Sequence, residues 1–251
     1  MLESIKRLLK GRSSESGDYA AVESWAKRRG FGFKRVRSEV GFVIDGVLEG
    51  RPWRLEWGLP QRDYIAGHEL RLRMELELPS EAQMLLLSRP LMDALERKTF
   101  EEFTDSVQTQ IGTKTPEEMR WLVMFPKVNL TTLKNLRVRF GAVASSADVG
   151  LAWLAGPLSN ALEDAAKGFL AKEPPFMLMT LRGRAYLRMQ LDVPEAAEVA
   201  AALAVFETAV AQAMLVAGES LGKSRDWSPS SASTAWQSIQ PDDASGPPKR
   251  R

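Results

Sequence analysis

From Leu70 to Leu78 the chain alternates strictly: Leu70, Leu72, Met74, Leu76 and Leu78 are apolar, and Arg71, Arg73, Glu75 and Glu77 between them are charged. Strand side chains point to opposite faces with a period of two, whereas a helix cannot collect these apolar residues on one side. The spacing predicts a strand with one dry and one charged face, which suits an antiparallel sheet. Trp53, Leu55 and Trp57 repeat the pattern around Arg54 and Glu56, as do Ala185, Leu187, Met189, Leu191 and Val193 further on. Gly41 to Leu48 is β-rich and Glu49-Gly50-Arg51 reads as a tight turn, so Phe31 to Leu78 predicts an antiparallel meander of three or four strands. The mixed signs on its charged face predict a surface that is solvated or paired across strands.

Helical spacing surrounds these strands. A first helix is expected from Asp18 to Arg29, with Asp18 as N-cap, Tyr19, Val22, Trp25 and Ala26 on one face, and Gly30 just past its end. Residues 79–126 read as mainly helical, with capping boxes Ser80–Gln83 and Thr115–Glu118, the latter with Pro116 at the first helical position. Lys98 to Lys114 receives no assignment. A strand is expected from Leu136 to Val143, then a helix from Ala147 to Leu170 kinked at Pro157. A hairpin follows, Phe176 to Leu181 with Ala185 to Val193. The last helix starts at Pro194 and carries a core stripe of Val199, Leu203, Phe206, Val210 and Met214. Leu48-Glu49-Gly50-Arg51 and Leu181-Arg182-Gly183-Arg184 share a pattern, which hairpin turns needing a glycine at positive φ explain without a duplication.

Composition narrows the chemistry. The 251 residues are 44% hydrophobic and 26% charged, which is ordinary for a globular protein with a sizeable core. With Cys 0 and His 1, neither disulfides nor thiolate, His/Cys zinc or multi-His centres are available. The net charge of +2 does not by itself call for nucleic acid. Met1 to Lys10 lacks the uninterrupted apolar core of a secretory signal. Ala196 to Ala217 carries Glu198, Glu207 and Gln212 and reads as too polar for a membrane span. A cytoplasmic, bacterial protein is the expectation.

Candidate catalytic groups are few. His68 has Asp63, Tyr64 and Glu69 nearby in sequence, but it opens a strand without a nucleophile motif and reads as structural. The glycines punctuate turns and do not cradle a phosphate, because Gly30-Phe31-Gly32 ends a helix instead of opening one. Glu101-Glu102, Glu117-Glu118 and Asp242-Asp243 are adjacent pairs that diverge on a helix, so no metal and no cofactor is expected.

The two ends carry the remaining signal. Residues 1–39 hold Lys6, Arg7, Lys10, Arg12, Lys27, Arg28, Arg29, Lys34, Arg35 and Arg37 against Glu3, Glu15, Asp18, Glu23 and Glu39. Leu2, Ile5, Leu8 and Leu9 share a helical face beside Lys6, Arg7 and Lys10, the pattern of an interfacial helix drawn to anionic lipid. Lys6, Arg7, Lys10 and Arg12 are the candidate membrane or anion contacts. Lys34, Arg35 and Arg37 with Phe31 and Phe33 suggest a basic-aromatic sheet surface, but no reader motif accompanies them, which argues against nucleic acid. Beyond Gly218 the composition falls to Ser, Pro, Gly, Asp and Lys, so residues 219–251 are expected to be a disordered tail. Trp227 and Trp236 in that tail are candidate anchors for a protein partner.

The order of helix, Gly-punctuated meander, strand, helix, hairpin and helix resembles a loose class of uncharacterised bacterial proteins. The resemblance is carried by Trp25-Ala26, Gly30-Phe31, Gly46 through Gly50-Arg51, and Phe140 through Tyr186. It assigns no functional residues. Together these features predict an α+β protein with antiparallel sheet packed against helices. Its parts are a basic segment 1–17, a globular region 18–218 with sub-parts 18–126 and 127–218, and the tail. The expected function is a non-catalytic binding or adaptor protein, membrane-peripheral through its N-terminal segment. The alternatives are an enzyme using carboxylates, Arg and Tyr, or a weak nucleic-acid binder through the basic N-terminal region.

Overall fold

The computed structural model describes residues 19–37, 39–79, 82–105 and 115–225. The elements in chain order are α1 (Ala20–Arg28), β1 (Gly32–Arg35), β2 (Gly41–Leu48), β3 (Arg51–Gly58), β4 (Glu69–Glu75), β5 (Met84–Ser88), α2 (Arg89–Asp105), α3 (Glu117–Met124), α4 (Lys134–Arg139), β6 (Phe140–Ala144), α5 (Ala147–Leu154), α6 (Pro157–Lys167), β7 (Phe176–Leu181), β8 (Arg184–Gln190) and α7 (Ala196–Arg225). The chain divides into units Met1–Ala217 and Gly218–Arg251, and the described part of the second is the end of α7. The α+β architecture is as the sequence predicts.

All eight strands lie in one sheet of order β1-β2-β3-β4-β8-β7-β5-β6, and every pairing is antiparallel. The β7–β8 hairpin inserts between β4 and β5, so the two expected sub-parts share a single sheet. Two hairpins close by two-residue turns in which both central residues have positive φ: Glu49 (50°) with Gly50 (78°), and Arg182 (50°) with Gly183 (74°). That conformation matches the right-handed twist of the flanking strands and accounts for the repeated Gly-Arg pattern.

One sheet face is apolar from end to end. Phe42, Ile44, Trp53, Leu55, Trp57, Leu70, Leu72, Met74, Leu187 and Leu178 are buried there under α1, α5, α6 and α7. The alternating strands thus place Leu70, Leu72, Met74, Ala185, Leu187 and Met189 as expected, but β4 ends at Glu75 and β8 at Gln190, and Val193 lies beyond the strand and is exposed. The second face divides in two. Over β5, β6 and β7, α2 and α3 bury Leu85, Leu87, Val143, Met177 and Met179 against Leu91, Met92, Leu95, Met119 and Trp121. Over β2, β3, β4 and β8 no described element of regular structure covers the charged residues.

Several sequence expectations are corrected. Residues 79–126 are mainly helical among the described residues, in α2 and α3, but Met84–Ser88 ahead of them is a strand buried on both faces, so its apolar run has no period of two to reveal it. Gln83 therefore opens no helix, and Ser80 lies outside the described residues. α3 starts at Glu117 with Pro116 as N-cap and without a side-chain cap bond, because Glu118 is turned inward to an ion pair. Leu136 to Arg139 is helical, and the strand begins only at Phe140. Pro157 does not kink one helix but starts a second, after Gly156 at φ 65°. α7 runs through Gly218 to Arg225, while the division into two units falls between Ala217 and Gly218, beside the expected boundary; the first proline beyond the helix is Pro229. The stretch Ala196–Glu219 holds an 18-residue window of mean hydropathy 1.9 and is long and apolar enough to cross a membrane, contrary to the sequence reading, because Ala and Val outweigh its few charges. Half of that window is buried in the fold.

Candidate binding surface on the open sheet face

Antiparallel register places like charges directly opposite one another on the uncovered face. Arg71 on β4 faces Arg188 on β8, and Arg54 on β3 faces Arg73 on β4. Directly opposed like charges destabilise a sheet unless something neutralises them.

The first pair is resolved from inside. Glu69, without exposed surface, accepts from Arg188 Nη1 at 2.6 Å and from Arg71 Nη1 at 3.3 Å. The Gln61 backbone N–H adds a third donor at 2.7 Å. Arg71 also reaches Glu56 at 3.3 Å and donates to the Leu59 carbonyl at 2.9 Å. A buried carboxylate survives without water only when its oxygens are satisfied in this way.

The same loop, between β3 and β4, builds a second buried carboxylate site. Glu118 accepts from Arg62 Nε at 2.6 Å and from the Tyr64 hydroxyl at 2.7 Å. Burial pushes the Tyr64 hydroxyl well above its ordinary pKa, and the Glu118 charge adds to the shift. Burial disfavours the Arg62 cation, but the Glu118 charge and hydrogen bond outweigh it and leave its pKa raised. These contacts tie the loop to α3. A groove of ≈ 390 Å³ beside them is lined by Gln61, Arg62, Asp63, Tyr64, Lys98, Thr115, Pro116 and Met119.

The second arginine pair is resolved only on one side. Arg54 forms a bidentate contact with Asp45 at 2.7 and 3.4 Å, and that hydrogen bond raises the Arg54 pKa. Arg184 on β8 pairs with Glu75 at 2.6 Å. Arg73 is exposed and has no carboxylate partner among the described residues. Asp45, Arg54, Arg73, Glu75, Arg184 and Tyr186 line a groove of ≈ 360 Å³ on the open face.

The sequence-stated candidates are distributed elsewhere. His68 stacks on the Trp57 indole, with ring centroids 4.5 Å apart, and its carbonyl accepts from Leu191 N–H at 3.0 Å. Phe31 packs edge-on to Trp53 and Phe33 stacks on Phe42, so neither ring is presented beside Lys34 for a nucleic-acid base. Arg35 pairs with Glu23 and lies over the Tyr19 ring. Lys6, Arg7, Lys10, Arg12, Trp227 and Trp236 lie outside the described residues, as do Asp242 and Asp243. Glu69, Arg188, Arg62 and Glu118 were not singled out as a group by sequence. Glu69 and Arg188 are 119 positions apart, and only the β4–β8 pairing unites them. The one available signal was the run Gln61-Arg62-Asp63-Tyr64, polar enough to cross a charged sheet face.

No family model matches the chain, and no curated protein matches it. Among solved structures, the crystal structure of the mycobacterial trehalose monomycolate transport factor A is similar at 8% sequence identity and a TM-score of 0.46, covering 77% of this chain and 92% of that chain.

Proposed function

We propose that this chain is a non-catalytic binding or adaptor protein of the bacterial cytoplasm that meets a protein partner on the open face of β2, β3, β4 and β8. The observation that carries this reading is the contrast between the two halves of one sheet face. One half is sealed by α2 and α3, while the other presents paired charges and a groove. Its buried carboxylates are spent on structure: Glu69 accepts through both oxygens from Arg188, Arg71 and the Gln61 N–H, and Glu118, without exposed surface, accepts from Arg62 and Tyr64 on Oε1 and from Arg62 alone on Oε2. A general base or nucleophile needs an oxygen free to reach a substrate, so this arrangement supports recognition over turnover.

A photocrosslinking residue replacing Val47, which is 64% exposed beside this face, tests the reading in cells, with Val138 (67% exposed) as the control position. A discrete adduct from position 47 alone, identified by mass spectrometry and reproduced with the purified partner, is expected. Equal adducts from both positions, or none from position 47, would remove the open face from the argument. In the same reading residues 1–12 hold the protein near anionic membrane through Lys6, Arg7, Lys10 and Arg12.

A further inference from the structure

We infer that the groove around Arg73 is a subsite for a single carboxylate, supplied by an acidic side chain or the C-terminal carboxylate of a protein partner. The inference deepens the binding reading above and rests on it for the source of the carboxylate. Its premise is a comparison within the sheet. Two arginine pairs face each other across adjacent strands, Arg71 with Arg188 and Arg54 with Arg73. Glu69 bridges the first pair, taking one guanidinium on each oxygen. The second pair has Asp45 on Arg54 alone, and Arg73 faces the groove without an equivalent. A carboxylate from outside would give Arg73 the interaction that Glu69 already gives Arg71.

Charge selects the ligand class. Arg54, Arg73 and Arg184 face Asp45 and Glu75 within the groove, three positive charges against two negative ones. One monoanion neutralises the excess. A phosphate dianion or a polyphosphate would overshoot it and meet two fixed carboxylates. The guanidinium fork of Arg73 suits the planar, two-oxygen geometry of a carboxylate, and the Tyr186 hydroxyl beside Arg184 offers a further polar contact.

The test follows the arginine Nε–Hε resonances of the full chain by NMR. The probes are acetyl-Gly-Glu-Gly-amide, its Gln counterpart, acetyl-Gly-Glu (which carries two carboxylates, one of them terminal) and inorganic phosphate. The Glu peptide is expected to move the Arg73 resonance saturably, and the Gln peptide and phosphate are expected to bind at least tenfold more weakly. Arg73→Gln should lose at least tenfold in affinity. Arg73→Lys, which keeps the charge and loses the fork, should lose less. Because Arg73 is exposed, neither variant should lower the urea midpoint, and Arg73→Gln, which removes one of two opposed charges, should leave it equal or slightly raised. A Glu peptide that gives no saturable shift, an Arg73→Gln variant that binds equally well, or phosphate that binds as tightly would overturn the inference. Crosslinking from position 47 reports independently on the partner surface: adducts without glutamate binding sink the carboxylate subsite alone, and glutamate binding without adducts sinks the partner reading alone.

Discussion

At the scale of the single residue, Glu69 shows what a buried charge asks of its neighbours. Its carboxylate has no exposed surface and accepts from Arg188, Arg71 and the Gln61 backbone. Replacing it by Gln leaves two guanidiniums opposed across β4 and β8 with little water to screen them. Glu69→Gln is expected to cost about 3 kcal/mol, the scale for breaking a buried pair by removing one partner. Removing Arg188 as well, in Glu69→Gln/Arg188→Met, should recover part of that loss. Urea unfolding of the two variants checks this, and a single-variant loss below about 1 kcal/mol would show that water reaches the site. Glu207 makes the opposite case. Burial raises its pKa above the ordinary carboxylate value, with Arg29 pulling the other way. A carboxyl whose folded pKa lies above its unfolded one favours the fold most at pH below the unfolded value, where both states are protonated. That contribution is lost as pH rises from the ordinary carboxylate range through the raised folded value. Glu207→Gln should therefore raise the melting temperature at pH 7 and leave it unchanged near pH 4.

The strands show how backbone demands act at the level of an element. Gly50 sits at φ 78° with open space where a Cβ would go, so Gly50→Ala isolates the backbone penalty. A loss of about 1 kcal/mol is expected from the left-handed conformation alone. Glu49→Asn in the same turn should gain a few tenths of a kcal/mol to about 1 kcal/mol, because Asn tolerates that region better than Glu. Gly46 differs in kind: a Cβ there would overlap the buried Trp53 ring directly across the hairpin. Gly46→Ala should cost about 2 kcal/mol by overpacking and shift Trp fluorescence, a readout that Gly50→Ala should not move. These positions also mark what sequence made legible. Turns and half-buried strands announce themselves, since a period of two or a Gly-Arg turn is a local signal. β5 did not, because Met84 to Ser88 is buried on both faces and an apolar run suits helix and strand alike. The surface site stayed hidden for a different reason. The Glu118 position three after Thr115 fits a capping box, yet its carboxylate turns to Arg62 and Tyr64, whose arrival depends on a loop 54 to 56 residues away.

At the scale of the molecule, two features compete as routes to a membrane, and the fold separates them. α7 has the length and hydropathy of a span, but Val199, Leu203, Phe206 and Val210 are the stripe it buries against the sheet. The Trp153 indole N–H also donates to its Ala209 carbonyl at 2.9 Å. Inserting α7 in lipid would strip the apolar sheet face of its cover. A buried Leu or Phe side chain is worth about 1.5–3 kcal/mol relative to exposure, so the loss over the stripe would rival the stability of a whole domain. In the proposed reading, membrane contact that preserves the fold falls to residues 1–12, whose Lys6, Arg7, Lys10 and Arg12 would meet anionic headgroups at about 1 kcal/mol per cation. Sedimentation with vesicles of phosphatidylglycerol is expected to pull down the full chain at low salt, to fail with neutral vesicles, and to weaken at least tenfold when the four cations become Gln. Because attraction to headgroups is screened within a Debye length of roughly 10 Å at 0.1 M salt, raising salt should release the protein. Binding that persists in high salt and ignores the four substitutions would instead point to α7 leaving the core, and circular dichroism with near-ultraviolet Trp signals would register the unpacking of Trp153.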